Sequence, residues 1–176
     1  MTMNEEKTRP IVDDLVNAWN SRDMNRFISH LDEAVVWDDP AMLYGPVKGQ
    51  VAVQAFGESV LRAFPDLSYR IREPICISRS GTRCAIPWEI RATNTGYFDF
   101  LGFAPTRQAI AMQGVDIIEI QGVKVTRIDT IFNVLPALEQ VLRLKPLSKS
   151  SFARTVVLRL QKCRASWLRH KSKLQK

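Results

Sequence analysis

Apolar residues in the first third of the chain recur at helical spacing. Ile11, Val12, Leu15, Val16 and Trp19 fall at i, i+1, i+4, i+5 and i+8, one face of an amphipathic helix. Thr8 is placed to cap this helix, and Pro10 suits its first turn. Asn20-Ser21-Arg22-Asp23 reads as a turn with a second cap, after which Met24, Phe27, Ile28 and Leu31 continue as a short helix. Val35, Val36 and Trp37 read as a strand that Asp38-Asp39-Pro40 stops. A loop rich in Gly and Pro runs to Gly49, and Val53, Phe56, Val60 and Phe64 mark a third helix ended by Pro65.

Beyond Pro65 the period changes from helical to alternating. Strands are predicted over roughly 67–78, 82–93, 108–120 and 123–132, with compact turns at Ser80-Gly81 and Gln121-Gly122. Pro87 interrupts the second of these and predicts a bulge or an edge position. A helix follows at about Pro136–Leu144. Three helices and a strand, then a bent antiparallel sheet, define an α+β fold. The chain shows no internal repeat and no Gly-rich phosphate loop.

Composition narrows the picture. With 176 residues, 45% hydrophobic and 24% charged, the chain is long enough for one domain with a sizeable core and an appendage. The net charge of +7 is unevenly spread. Residues 146–176 hold nine Lys or Arg and no acid, leaving 16 basic against 18 acidic residues before them. That shift, with Pro146 and the serines Ser148, Ser150 and Ser151, divides the chain into a mildly acidic domain, 1–145, and a basic tail, 146–176. In the tail Phe152, Val156, Leu160, Cys163 and Trp167 recur at helical spacing among Arg and Lys, a basic amphipathic helix. Such a helix can dock on the domain or on a second subunit, or lie on an anionic membrane surface. No nucleic-acid reader motif accompanies it, so nucleic acid is not an expected partner.

The three cysteines, Cys76, Cys84 and Cys163, form no CxxC pair and suit a reducing compartment. The N-terminus begins Asn4-Glu5-Glu6 without an apolar run, and no segment is long enough to span a bilayer. A cytoplasmic location follows, membrane-peripheral if the tail binds lipid. No His or Cys cluster has metal-ligand spacing, and no cofactor is expected. Cys84 reads as a small buried apolar residue, and His30 as a surface helix residue.

Five pieces carry a resemblance, in order across some 140 residues. They are Ala18-Trp19-Asn20-Ser21-Arg22-Asp23, Phe64-Pro65-Asp66-Leu67, Thr95-Gly96 through Leu101-Gly102-Phe103-Ala104-Pro105-Thr106, Gly114-Val115-Asp116, and Arg127-Ile128-Asp129. From about Thr8 to Leu144 the chain resembles a SnoaL-like domain, the group of small polyketide cyclases within the nuclear transport factor 2-like superfamily. The resemblance implies a cone in which three N-terminal helices pack on a curved, mostly antiparallel sheet around a pocket. It also implies pairing through the outer face of the sheet, hence a homodimer with Val115, Ile117, Ile128 and Thr130 outward.

A turn at Gln121-Gly122 sets Ile120 opposite Val123 and Asp116 opposite Arg127. Alternation then gathers Asp116, Ile118, Ile120, Val123, Val125, Arg127 and Asp129 on one face. In the resembling cyclases that face lines the pocket, and an Asp on the last strand is the acid/base of an intramolecular aldol closure. Carried over, that role falls on Asp129, with Asp116 and Arg127 beside it. The family often has a His two residues before this Asp and another on or near the preceding strand. Here Arg127 and Asp116 stand instead. Asp38 and Asp39 end a strand at the expected pocket mouth, where turn chemistry also explains them. Tyr44 and Trp88 are placed to line the pocket. Trp37 and Phe56, which packing alone also explains, complete the substrate-contacting candidates with Asp39.

The leading expectation is a cofactor-independent cyclase or isomerase of natural-product metabolism. It would act by Asp general acid/base proton transfer on a small hydrophobic carbonyl compound, polyketide-like or terpenoid-like. One alternative is epoxide opening by an Asp–Arg–Asp set. Another is a non-catalytic module that binds a hydrophobic ligand or scaffolds a partner, with the tail as its targeting element.

Overall fold

The computed structural model describes residues 3–42, 44–72 and 74–142. The basic tail and the end of the last predicted helix lie outside these described residues. Helix α1 spans Met3–Ser21, α2 Met24–Ser29 and α3 Gln50–Ala63. The strands are β1 Leu31–Asp38, β2 Val47–Lys48, β3 Ser68–Ile71, β4 Cys76–Ile77, β5 Arg83–Thr93, β6 Ala109–Gln121 and β7 Lys124–Phe132. Helix α4, Val134–Val141, closes the described part. The sheet runs β2-β1-β7-β6-β5-β3, with β4 also on β5. Every pairing is antiparallel except β1 with β7. The sheet is curved and unclosed, and the fold is the α+β architecture that the sequence predicts.

The core forms between the concave face of the sheet and the helices. Val12, Leu15 and Trp19 of α1 and Val53 and Phe56 of α3 are buried against Ile86, Trp88 and Ile90 of β5 and Ile118 and Ile120 of β6. Strand β5 shows the period of two at its clearest. Cys84, Ile86, Trp88, Ile90 and Ala92 are buried, and the residues between them are not. Pro87 makes neither an edge nor a bulge. It pairs with Val115 of β6 and stands where the other neighbour of β5 changes from β3 to β4, with Arg72 N–H donating to its carbonyl at 2.7 Å.

Two local expectations are corrected. Helix α1 begins before Thr8, so Thr8 is no cap; it is buried and its hydroxyl donates to the Gly81 carbonyl at 3.0 Å. The predicted strand 67–78 is two short strands, β3 and β4.

The correction with most consequence concerns the β6–β7 hairpin. The turn is Gly122-Val123, with Gly122 in the left-handed region at φ 62° and Val123 exposed, so Gln121 faces Lys124. A bulge between Val125 and Arg127 then adds one more residue. Glu119 pairs with Arg127, Ile117 with Asp129, and Asp116 with Thr130. A one-residue slip turns every later side chain of a strand to the other face. The concave face therefore receives Ile128, Thr130 and Phe132, while Arg127 and Asp129 join Ile117 and Glu119 on the convex face. Of the outward set expected at an interface, Val115 and Ile117 keep their place and Ile128 and Thr130 do not. Ile131, 55% exposed opposite Val115, takes their part.

Candidate active site

The concave face and the helices enclose a cavity of about 150 Å³ whose wall is almost wholly apolar. Trp19, Trp37, Phe56, Trp88 and Phe132 contribute much of it. Trp37 sits at the centre of an aromatic chain, with ring centroids 6.0 Å from Trp19, 5.8 Å from Phe27 and 5.1 Å from Phe56. Its indole N–H donates to the Thr130 hydroxyl at 2.9 Å.

Two carboxyl groups interrupt this wall, and the sheet places both. Inward positions alternate along β1, so the residue two beyond Trp37, Asp39, points the same way. Across β7, Thr130 comes next, and across β6, Asp116 is directly paired with Thr130. Asp39 just beyond β1, Thr130 near the end of β7 and Asp116 in the middle of β6 thus form a row, with Thr130 between the two carboxyls.

Each carboxyl has a distinct environment. Asp116 Oδ2 accepts from the buried Tyr69 hydroxyl at 2.9 Å, while Oδ1 is buried without a hydrogen-bond partner among the described residues. Burial pushes the Asp116 carboxyl up from its ordinary range, against the pull of Tyr69, Thr130 and Trp88. The same burial, with Asp116 beside it, raises the Tyr69 phenol well above its ordinary value. Asp39 Oδ1 accepts from the Ala41 N–H at 2.7 Å, and its carbonyl accepts from the Met42 N–H at 2.8 Å. Burial raises Asp39 to about 7; its Ala41 bond opposes the rise, and the neighbouring charges of Asp116 and Asp38 add to it. Both residues keep some accessible surface, and that surface is the cavity they line.

Among the predicted residues, Asp116, Asp39, Trp37, Phe56 and Trp88 meet in this cavity. Asp129, Arg127 and Tyr44 do not. The Arg127 guanidinium holds Asp129 in a two-point pair on the convex face, Nε–Oδ2 2.8 Å and Nη2–Oδ1 2.6 Å, which raises the Arg127 pKa further. The hairpin slip described above is the reason, and it leaves the Asp–Arg–Asp set unassembled in the cavity. Tyr44 is 99% exposed, because the turn that Asp39 caps buries Ala41 and Met42 and turns the following chain outward. The residues missed are Tyr69 and Thr130. Alternation of Leu67, Tyr69 and Ile71 signals that Tyr69 faces inward.

Other reactive groups stand apart from the cavity. Burial pushes the Cys84 thiol up to about 12, which leaves it inert as a nucleophile. His30 Nε2 lies 2.5 Å from Asp14 Oδ2, and Arg26 pairs with the same carboxylate. Among the described residues no group of His, Cys, Asp and Glu is arranged to hold a metal ion, and no helix is long and apolar enough to cross a membrane.

A curved sheet with α1–α3 on its concave face and an apolar cavity between them is the nuclear transport factor 2-like fold. A SnoaL-like domain profile matches residues 12–128, and the chain belongs to that family. AclR from Streptomyces galilaeus shares 24% identity over 80% of this chain and 98% of its own, with a TM-score of 0.66. A protein of Jannaschia sp. classed as a SnoaL-like polyketide cyclase shares 14% identity over 80% and 95%, with a TM-score of 0.70. SalBIII, an epoxide hydrolase/cyclase-like enzyme with a role in pyran ring formation in the polyether salinomycin, shares 17% identity over 73% and 92%, with a TM-score of 0.62. No curated protein matches the sequence.

Proposed function

We propose that the chain is a cofactor-independent cyclase or isomerase that moves a proton on a small hydrophobic carbonyl compound, polyketide-like or terpenoid-like. The observation that carries this reading is that two carboxyl groups, Asp39 and Asp116, stand on one largely apolar cavity wall with Thr130 between them, near enough for the charge of Asp116 to raise Asp39. When two buried carboxyls are coupled through their charges, the second to ionise is raised, which yields a base and an acid at one pH. Tyr69, Thr130 and Trp88 stabilise the ionised form of Asp116, so Asp116 is the base. Asp39, raised to about 7, keeps the proton and is the acid.

The steps balance without any other reactant. Asp116 takes a proton from the carbon next to a carbonyl, and Asp39 supports the enolate oxygen by hydrogen bonding or by delivering its proton. Return of a proton at another carbon gives an isomer. Attack of the enolate carbon on a second carbonyl gives a ring, and Asp39 protonates the resulting alkoxide. The cyclase names borne by structural neighbours agree with this reading.

Exchange of the benzylic protons of 2-indanone in D₂O, followed by proton NMR, tests it. The protein should accelerate exchange above buffer. Exchange at the buffer rate would instead leave a ligand-binding module. The same reading includes a homodimer through the convex face, where Val115, Ile117 and Ile131 present apolar surface between ion pairs. Light scattering at micromolar concentration should give twice the 20.1 kDa chain mass; a single chain mass contradicts the dimer.

A further inference from the structure

Thr130 stands between the two carboxyls, and the role of its hydroxyl is set by a third residue. The Trp37 indole N–H, which can only donate, lies 2.9 Å from Thr130 Oγ1, so the oxygen accepts there. A hydroxyl has one proton, and that proton turns to an acceptor elsewhere. Strand β6 supplies one, because Asp116 is directly paired with Thr130 and lines the same cavity. The Thr130 hydroxyl favours the ionised form of Asp116, as a donor does. It gives no such help to Asp39, which is served by the Ala41 N–H.

The indole is itself held by three helices. Trp37 is buried, and its ring packs against Trp19 of α1, Phe27 of α2 and Phe56 of α3. A ring enclosed in this way cannot turn its N–H aside without moving its neighbours. Aromatic packing therefore orients the indole, the indole orients the hydroxyl, and the hydroxyl reaches the base. The other groups around Asp116 bring no cation to compete with this chain. Tyr69 of β3 donates to it at 2.9 Å, Trp88 of β5 favours its ionised form, and Asp39 beyond β1 bears a like charge. Cys84 of β5, pushed up to about 12, stays a neutral thiol. The four helices present only aliphatic and aromatic side chains to the cavity.

We propose that Trp37 is a positioning residue, whose N–H commits the Thr130 hydroxyl to Asp116 and so helps decide which of the two carboxyls ionises first. This role is separate from any contact its ring makes with a substrate. The inference rests on the proton-transfer reading of the site, but its failure is distinguishable, because the charge state of Asp116 can be followed without a substrate. If Asp116 responds as described below and the native chain shows no exchange, the reaction falls alone. If exchange is present and Asp116 does not respond, this inference falls alone.

The test combines Thr130→Val, Thr130→Ser, Trp37→Phe and the double variant Trp37→Phe/Thr130→Val. Each is followed by carbon-detected NMR of Asp116 and by the pH profile of 2-indanone exchange. The mechanism requires ionised Asp116 and protonated Asp39, so the native profile is a bell. Thr130→Val keeps the shape and loses the donor. Its Asp116 midpoint and the acid limb of the bell should move to higher pH, with exchange about tenfold slower at the acid end and recovered near the top. A purely structural role would lower the rate at every pH and leave the limb in place. Thr130→Ser keeps the hydroxyl and should return the limb toward its native position. Trp37→Phe should move the limb in the same direction by a smaller amount, and should add nothing once Thr130 is Val. In the native chain the Trp37 indole N–H resonance, assigned by its contacts to Phe27 and Phe56, should titrate with the Asp116 midpoint. An Asp116 midpoint unmoved in Thr130→Val would overturn the proposal. So would a Trp37→Phe shift equally large in both backgrounds, or a Trp37 resonance indifferent to Asp116. The last readout uses the native chain and stands even if a variant does not fold.

Discussion

Asp116→Asn should slow proton exchange on 2-indanone by about 10²-fold or more while the protein stays folded. Asparagine has the shape of aspartate, and its amide oxygen can still accept from the Tyr69 hydroxyl that Asp116 Oδ2 now receives at 2.9 Å. What it lacks is the capacity to take a proton. The Asp116 carboxyl is pushed up by burial, so the native side chain carries a desolvation penalty when ionised that a neutral amide does not. Thermal unfolding above pH 7 should therefore be unchanged or shifted upward in the variant. Asp129→Asn on the convex face is the matched control and should leave the exchange rate unchanged, since that carboxylate is engaged by Arg127 away from the cavity. An Asp116→Asn protein with full activity would remove the base from the mechanism.

Gly114→Ala should cost about 3 kcal/mol, the upper part of the range for overpacked interiors. Gly114 pairs with Trp88 on β5 and Phe132 on β7. A Cβ there would lie 2.4 Å from Trp88 Cζ2 and 2.6 Å from the Ile131 carbonyl oxygen. The indole could move only by tilting into the cavity, and the carbonyl belongs to the sheet backbone. Glycine is required here for close approach, since Gly114 is not among the residues with positive φ. For a domain of this size the midpoint of thermal unfolding should fall by roughly 6–12 °C. A variant with native stability would show that the sheet and Trp88 yield more easily than their packing indicates.

The architecture was legible because each element repeats its signal. Ile11 to Trp19 mark one face of α1 several times over, and Cys84 to Ala92 mark one face of β5. Asp116 was also readable, since Ile118 and Ile120 after it on the same strand keep an unbroken alternation. Asp129 was misplaced because the information there is a count of one residue. A turn at Gly122-Val123 preserves the parity expected from Gln121-Gly122, and the single added residue before Arg127 reverses it. No side-chain pattern announces such a bulge in advance. Asp39 was visible, but its turn chemistry concealed its place on the cavity wall. The residue caps the Ala41 turn and lines the same cavity as Asp116. The partner Tyr69 carries a signal in the alternation of Leu67, Tyr69 and Ile71, but its strand of four residues repeats that signal too few times to mark the hydroxyl as part of a site.

The central claim is that Asp39 and Asp116 are two carboxyls of one apolar cavity, coupled through their charges so that one keeps a proton while the other is ionised. Carbon-detected NMR of the aspartate side chains across pH measures this directly, with resonances assigned through Asp39→Asn and Asp116→Asn. Asp39 should titrate at about 7 and Asp116 above the ordinary 3.8. In Asp116→Asn the Asp39 midpoint should fall, because the like charge that raises it is gone, yet stay above 3.8 because burial persists. Both carboxyls titrating near 3.8, or an Asp39 midpoint indifferent to the loss of Asp116, would contradict the account.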